Sequence, residues 1–235
     1  MKPRKGFSRA NALFLFSMSK APDTLSLVNK KWTLAMETSV PEATLALACG
    51  DEVIARAEFT SERSQEVDLF SPLKEILTAL PEGQTLSAVL IGTGPGSYNG
   101  ARVGIAAGQA IAQVHGCGVA GICSFEAVPS LTWAAGDARR GSFYLMKIGD
   151  EPKLLEPSDF LAKLAQSKGE IGTFEPLEKL NCPAGSVKQV TPTAEGLLTA
   201  WQKKSAEEKD TLMAIPAEAF YIRPPHITAS KKKSP

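Results

Sequence analysis

The sequence predicts an α/β fold built around a mixed sheet. Three consecutive strands open the regular part of the chain, at 32–36, 43–48 and 52–59, with a hairpin turn at 49–51. Helices and strands then alternate: a helix at 65–79, a strand at 87–91, a helix at 99–114, a strand at 118–122 and a helix starting over 125–131. With 235 residues, 43% of them hydrophobic, the chain can bury a sizeable core without disulfides or a structural metal.

The spacing of apolar residues justifies each of these elements. The first helix has its apolar residues three and four apart and ends at Pro81 and Gly83. The strand at 87–91 is continuously apolar, which is typical of a strand buried on both faces. In the second half the pattern predicts a strand at 142–148, helices at 157–166 and 193–204, and a last strand at 220–223.

These elements divide the chain into two lobes with basic ends. We expect a disordered basic extension over residues 1–31, a first α/β lobe over 32–132, a smaller second lobe over 133–228 and a basic tail over 229–235.

The formal net charge of +1 hides an uneven distribution. Residues 1–31 carry +6 and the last six residues +3, which leaves −8 on the body between them. Because nucleic-acid affinity comes largely from Lys and Arg that displace counterions, an acidic body binds a phosphate backbone poorly. If the protein works on nucleic acid, a partner is expected to supply most of the affinity.

Four cysteines without a CxxC pair favour free thiols in a cytoplasmic protein. No run of about 18 apolar residues is present, so the sequence predicts no membrane span.

The most specific motif is a glycine-rich loop, Ile91-Gly-Thr-Gly-Pro-Gly-Ser-Tyr-Asn-Gly100, which joins a buried strand to a helix. Its glycines allow positive φ, and Ser97 or Asn99 can cap the following helix. Such a loop suits an anion, but it equally suits a tight turn without a ligand. It lacks the lysine of a Walker A loop.

The helix after this loop has a stripe of small residues, Gly100, Gly104, Gly108 and Ala112. Glycine costs roughly 1 kcal/mol relative to alanine inside a helix, so a close approach of another backbone must offset it. Two interpretations stay open: packing on the protein's own sheet, or a tight interface with another chain.

Two acids follow or precede predicted strands in different lobes. Glu37 ends the first strand and Asp137 lies before a strand of the second half, so together they could hold magnesium on a nucleotide, or merely cap turns. The two histidines, His115 and His226, form no zinc motif, which argues against a zinc hydrolase, and no protein-bound metal site is predicted. No Ser-His-Asp set has supporting spacing either.

Five strings, taken together, resemble the TsaB (YeaZ) family over about residues 32–225. They are Thr33-Leu-Ala-Met-Glu-Thr-Ser39, Gly94-Pro-Gly-Ser-Tyr-Asn-Gly-Ala-Arg-Val-Gly104, Gly121-Ile-Cys-Ser-Phe-Glu-Ala127, Asp137-Ala-Arg-Arg-Gly-Ser-Phe-Tyr144 and Tyr221-Ile-Arg223. The family usually has Asp where Glu37 stands here, which weakens a magnesium role at that position.

The resemblance implies an actin-like, ribonuclease-H-related fold of two lobes, here with a reduced second lobe. It also implies a non-catalytic subunit of bacterial tRNA threonylcarbamoyladenosine (t6A) synthesis, which binds and activates a TsaD-like transferase. A TsaE-like ATPase joins them, and tRNA is reached indirectly through the complex. A homodimer of the isolated chain stays open, as does ATP or ADP with magnesium at the complex interface.

The candidate residues form two groups, and no catalytic residue is predicted. The candidate nucleotide-loop residues are Glu37, Thr38, Gly94, Pro95, Gly96, Ser97, Asp137 and Arg139. The candidate partner interface, implied by the family's use of its first-lobe helices and by the glycine stripe, is Gly100, Val103, Gly104, Ala107, Gly108, Ile111, Phe70, Leu73 and Leu77.

Two other functions compete with this one. A small-molecule kinase or ATPase of the same fold would use Glu37, the 94–97 loop and Asp137 to bind Mg-ATP, but no clear catalytic base accompanies them. A peptidase is opposed by the presence of only two histidines.

Overall fold

The computed structural model describes residues 14–18, 30–60 and 69–223. This part of the chain forms two β-sheets and five α-helices, with residues 123–130 leading from the first sheet to the second. Its four cysteines are free thiols. Within these residues no helix is long and apolar enough to cross a membrane.

The first sheet has six strands, which are β1 (Phe14–Met18), β2 (Trp32–Glu37), β3 (Glu42–Cys49), β4 (Glu52–Thr60), β5 (Leu86–Gly92) and β6 (Gly118–Ile122). Their spatial order is β1-β4-β3-β2-β5-β6. The β1–β4–β3–β2 pairs are antiparallel, and β2–β5 and β5–β6 are parallel. The hairpin turns produce the antiparallel half, whereas helical crossovers are required for the parallel half.

Two helices cover one face of this sheet. They are α1 (Phe70–Leu77) and α2 (Tyr98–His115). Side chains alternate along β2, so Leu34 and Met36 point toward these helices while Ala35 points to the opposite face. Both helices and this side of the sheet share one hydrophobic core.

The second sheet is smaller and has five strands, which are β7 (Leu131–Asp137), β8 (Phe143–Lys147), β9 (Lys153–Leu155), β10 (Glu170–Thr173) and β11 (Lys188–Gln189). Their order is β11-β10-β7-β8-β9. Helix α3 (Pro157–Gln166) packs on this sheet through buried Phe160 and Leu164, in a core separate from that of the first sheet.

The chain then returns to the first sheet. Helices α4 (Ala194–Lys203) and α5 (Ala206–Ala214) lie on the face opposite α1 and α2, where Leu197 and Leu198 pack on small β-strand residues such as Ala35 and Ala46. The backbone N–H of Ala194 donates to Thr44 Oγ1 at 2.8 Å. Residues 194–214 therefore belong spatially to the first lobe, although the sequence placed them in the second.

Most predicted elements are present with ends shifted by a residue or two. The strands at 32–36, 43–48 and 52–59 correspond to β2–β4, and the helix at 157–166 to α3. The helix predicted at 65–79 is observed over 70–77, and residues 61–68 lie outside the described residues.

Three expectations were wrong. The helix predicted from 125 is a short 3₁₀ helix, Ser124–Ala127, because Pro129 disfavours the helical conformation of Val128, and β7 follows instead. Residues 220–223 form no strand. Within the extension 1–31, residues 14–18 are ordered as β1 on the edge of β4. The remaining residues before 30, and the tail, lie outside the described part of the chain.

Several elements were not predicted at all. They are β1, β7, β9, β10, β11 and α5. Most of them are short or partly polar, so neither the helical nor the strand period of apolar residues is recognisable in the sequence.

Candidate functional site

The glycine-rich loop between β5 and α2 is fastened to the end of β2. The backbone N–H of Ser97 donates to the Ser39 carbonyl at 2.6 Å, and a Cβ on Gly96 would overlap that same carbonyl. Ser97 Oγ accepts the Gly100 N–H at 3.2 Å and so caps α2, as the sequence predicts. Gly94 has a φ of 96°, a left-handed conformation that a side chain rarely adopts.

Glu37 lies beneath this loop and has no exposed surface. Its Oε1 accepts hydrogen bonds from the Ser39 N–H at 2.8 Å and the Ser39 hydroxyl at 2.6 Å. The Ser39 and Ser124 hydroxyls are 3.0 Å apart, and Ser124 Oγ accepts the Gly94 N–H. Glu37 Oε2 has no hydrogen-bond partner in the described part of the chain and lies where a Cβ on Gly92 would be. The carboxyl group is thus connected to the loop through the hydrogen bonds of Ser39 and Ser124.

Burial raises the pKa of Glu37, and the hydrogen bonds from Ser39 and Ser124 only partly oppose this shift. The folded chain therefore holds a proton that the unfolded chain releases near the ordinary value of 4.5. The stabilisation is complete below that pH and is lost as the pH rises through the higher folded-state pKa.

We expect Glu37→Gln to remove this loss, because glutamine is neutral and keeps an oxygen for Ser39. Between pH 5 and pH 8 the free energy of unfolding of the variant should rise relative to that of the wild type, by up to about 1.4 kcal/mol per pH unit until the folded pKa is passed. Urea unfolding at several pH values measures this difference. Parallel pH profiles of the two proteins would show that Glu37 titrates normally.

A cleft lies between the two lobes beside the glycine-rich loop, and its cavity volume is about 340 Å³. The first lobe contributes Pro95, Gly96 and Ser97 to the lining, and the second lobe contributes Asp137 and Arg139. The structure therefore brings together five of the eight candidate nucleotide-loop residues.

The other three candidates do not line the cleft. Glu37 is enclosed beneath the loop, and Thr38 is buried and donates its hydroxyl to the Gly100 carbonyl at 2.8 Å. Gly94 is also buried, and its N–H donates to Ser124 Oγ at 3.0 Å. Glu37 and Asp137 thus cannot jointly hold a magnesium ion in the cleft, because Glu37 has no atom facing it. Among the described residues no group of three or more His, Cys, Asp or Glu side chains could hold a metal.

Sequence reasoning missed the part of the cleft wall that comes from the end of the described chain. We name residues 217–223 the C-terminal strap. The Phe220 N–H donates to the Thr93 carbonyl at 2.9 Å, Tyr221 stacks on Tyr98 with 5.3 Å between ring centroids, and Arg223 reaches the Arg139 carbonyl at 3.5 Å. The strap therefore contacts both lobes.

Two further wall residues were also missed. Glu175 and Tyr144 belong to the second lobe and line the same cavity. Burial raises the pKa of both side chains, and the nearby Glu175 carboxylate raises that of Tyr144 further. Of these cleft residues only Tyr144, Tyr221 and Arg223 had a sequence signal, in the family strings, and nothing in the sequence marked Glu175.

The glycine stripe of α2 faces inward, so its glycines are not interface residues. A Cβ on Gly100 would overlap the Thr38 carbonyl, one on Gly104 the Thr38 hydroxyl, and one on Gly108 the side chain of Ile91. All three glycines are buried. Of the two interpretations left open by the sequence, packing on the protein's own sheet is correct.

The remaining interface candidates lie at different depths. Leu73 is buried in the first core, whereas Leu77, Val103, Ala107 and Ile111 are half-buried. Phe70 is 72% exposed, and Val114, which sequence reasoning did not single out, is 84% exposed.

The two sheets, the helices on both faces of the first sheet and the cleft between the lobes form a two-lobe α/β protein with an actin-like fold. The comparison with solved structures supports this fold. Two crystal structures from Pseudomonas aeruginosa match with TM-scores of 0.62 and 0.59, at 19% and 16% sequence identity. The first is an uncharacterized protein with similarity to peptidase YeaZ, and the match covers 82% of this chain and 100% of that protein. The second is YeaZ, and the match covers 81% of this chain and 99% of that protein.

This protein is YeaZ-like (TsaB-like) in fold, as the sequence resemblance predicts. The family model described as TsaD, tRNA N6-adenosine threonylcarbamoyltransferase, matches residues 61–158. A Mycobacterium tuberculosis protein is 27% identical over 143 residues, which are 57% of this chain and 67% of that relative. A Mycobacterium leprae protein is 26% identical over 210 residues, which cover 82% of this chain but only 55% of that relative.

Proposed function

We propose that this protein is a non-catalytic subunit of a tRNA threonylcarbamoyladenosine-forming complex, in which it binds and activates a TsaD-like transferase. The YeaZ-like fold and the match to the TsaD family model support a function connected with this modification. The observation that carries the proposal is the composition of the outer surface of α2.

The exposed residues of α2 include a single charged side chain, that of Arg102. They are Tyr98, Asn99, Arg102, Ala106, Gln109, Ala110, Gln113 and Val114. A helix that faces water normally carries charged residues of both signs on that side. Depletion of charge around small and apolar residues is instead typical of the centre of a protein interface.

Helix α1 packs on the same face of the sheet as α2 and exposes Phe70. Exposed aromatic side chains are frequent energetic centres of interfaces. We therefore define the partner surface as Phe70 together with the exposed residues of α2.

The proposal is tested by co-expression with the TsaD-like protein of the same organism, followed by size-exclusion chromatography. We expect the two chains to elute together. Ala110→Glu should weaken the complex at least tenfold, because it places a charge at the centre of the partner surface.

Ala162→Glu is the matched control, since Ala162 is an exposed alanine on α3 in the other lobe. This variant should bind like the wild type. Separate elution of the wild-type chains would overturn the proposal, and equal binding by both variants would place the interface elsewhere.

A TsaE-like ATPase, indirect contact with tRNA through the complex, and ATP or ADP with magnesium at the complex interface stay predictions, as does a homodimer of the isolated chain. The kinase or ATPase alternative needs two carboxylates at the phosphates, and Glu37 is enclosed beneath the loop. The subunit role is therefore better supported.

A further inference from the structure

The partner surface carries one charged group, the guanidinium of Arg102, and this group has no acidic partner. Arg102 lies on the exposed side of α2, one helical turn after Tyr98 and one turn before Ala106. Its Cζ lies 5.1 Å from the centre of the Tyr98 ring, and its Nη1 donates to the Tyr98 hydroxyl at 3.2 Å. None of the ion pairs among the described residues includes Arg102. The contacts with Tyr98 therefore orient the guanidinium but leave its charge unpaired.

The C-terminal strap extends this surface beyond α2. Tyr221 is exposed, and its ring stacks on the exposed ring of Tyr98 with 5.3 Å between the centroids and 29° between the planes. Tyr98 lies where the partner surface meets the cleft, since it also lines the cleft wall. Arg102, Tyr98 and Tyr221 thus form a continuous exposed group, which we name the arginine–tyrosine cluster. Together with tryptophan, these are the residue types enriched at the energetic centres of protein interfaces.

The strap holds Tyr221 in place through contacts with both lobes. Ala217 is buried in the core that α1 and α2 share with the first sheet, whereas Phe220 and Ile222 pack against a core of the second lobe. The Phe220 N–H also donates to the Thr93 carbonyl in the glycine-rich loop at 2.9 Å. Because its neighbours in the chain are anchored, Tyr221 can contact a partner with little further loss of conformational freedom.

A partner that covers this cluster must supply an acidic group. Covering Arg102 removes water from its guanidinium, and a charge buried without an opposite charge weakens a complex strongly. A guanidinium oriented by an aromatic ring has N–H groups left for a bidentate pair with a carboxylate. A nucleic-acid strand would instead need several basic side chains for its phosphates, and the partner surface has only this one.

We propose that the TsaD-like subunit places a carboxylate side chain against Arg102 and packs an apolar group on Tyr221. The partner surface then continues from α2 onto the C-terminal strap, so the partner contacts an element that joins the two lobes. This inference rests on the proposed function, and it specifies the chemistry that the partner must present at one end of the surface.

The test is calorimetric titration of the full chain with the TsaD-like protein. Arg102→Gln and Tyr221→Ala should each weaken binding at least tenfold, whereas Tyr221→Phe, which keeps the ring, should bind like the wild type. Lys163→Gln and Leu177→Ala are the matched controls, because both side chains are exposed in the second lobe, and they should leave the affinity unchanged. Thermal unfolding checks that every variant is folded.

Charge reversal tests the assigned pair directly. Arg102→Glu should abolish binding, and replacing single exposed Asp or Glu residues of the TsaD-like protein by arginine should restore it at one position. Loss of binding through misfolding of Arg102→Glu could not be rescued by a change in the partner.

The outcomes separate this inference from the function on which it rests. Wild-type affinity of both Arg102→Gln and Tyr221→Ala, or the absence of any rescuing position, would overturn the inference and leave the proposed function standing. Failure of the wild-type chains to associate would overturn both. Tight binding of single-stranded RNA by the isolated chain, measured by fluorescence anisotropy and lost in Arg102→Gln, would also overturn the inference, because the cluster would then be a nucleic-acid site.

Discussion

Replacing Gly104 by leucine is expected to destabilise the first lobe rather than only to separate the protein from a partner. A Cβ at this position would overlap the hydroxyl of Thr38, which is itself buried under α2. Helix α2 would have to move away from the sheet to accommodate the larger side chain. We expect a loss of about 3 kcal/mol or more, which is a large part of the stability of an ordinary domain.

Thermal or urea unfolding of the isolated chain measures this loss. Ala106→Leu is the matched control, because Ala106 is exposed on the same helix and the leucine meets no neighbouring core. That variant should unfold like the wild type. A folded Gly104→Leu protein of normal stability would contradict the inward packing of the stripe.

Two smaller substitutions distinguish an obstacle formed by a side chain from one formed by the backbone. The obstacle at Gly104 is a side chain, so Gly104→Ala should be partly rescued by Thr38→Ala. The obstacle at Gly100 is the Thr38 backbone carbonyl, so Gly100→Ala should not be rescued by the same change. Equal rescue at both positions would show that the helix shifts as a whole.

We expect the second large loss of stability from Leu197→Asp in α4. Leu197 is fully buried between α4 and the first sheet, on the face that α1 and α2 leave uncovered. An aspartate there would be a buried charge without a partner, which costs about 4 kcal/mol or more. We expect this single change to unfold the first lobe, although the sequence placed residue 197 in the second.

Leu161→Asp is the control for this substitution. Leu161 lies on α3 of the second lobe and is 39% exposed, so the introduced carboxylate stays in contact with water. Circular dichroism and urea unfolding should show near wild-type stability for Leu161→Asp and a large loss for Leu197→Asp. Equal stability of the two variants would mean that α4 is not part of the first-lobe core.

Elements with a strong local pattern could be predicted from the sequence. The hairpin strands β2–β4, the glycine-rich loop and helix α3 each have an apolar period or a turn signal within a few residues. The short strands β9 and β11 have only two or three residues, so no period can develop. The proline that follows Val128 is itself a local signal against a helix at that position.

The candidate site was predictable only in part, because some of its residues are brought together only by the tertiary structure. Pro95, Gly96 and Ser97 are contiguous, and their loop is recognisable from its glycines. Glu175 and Arg223 line the same cavity as the loop only because the second sheet and the C-terminal strap lie beside it. No property of the sequence around Glu175 distinguishes it from an ordinary surface acid.

The sequence by itself determined the α/β class, the capped helix behind the glycine-rich loop and the small-residue stripe of α2. These features depend on backbone conformation and on residues close together in the chain. Only the tertiary structure decided which way the stripe faces, that α4 covers the first sheet, and that Glu37 lies beneath the loop rather than in the cleft. The physical reason is that burial and close contact depend on residues distant in sequence, such as Thr38 against Gly100 and Thr44 against Ala194.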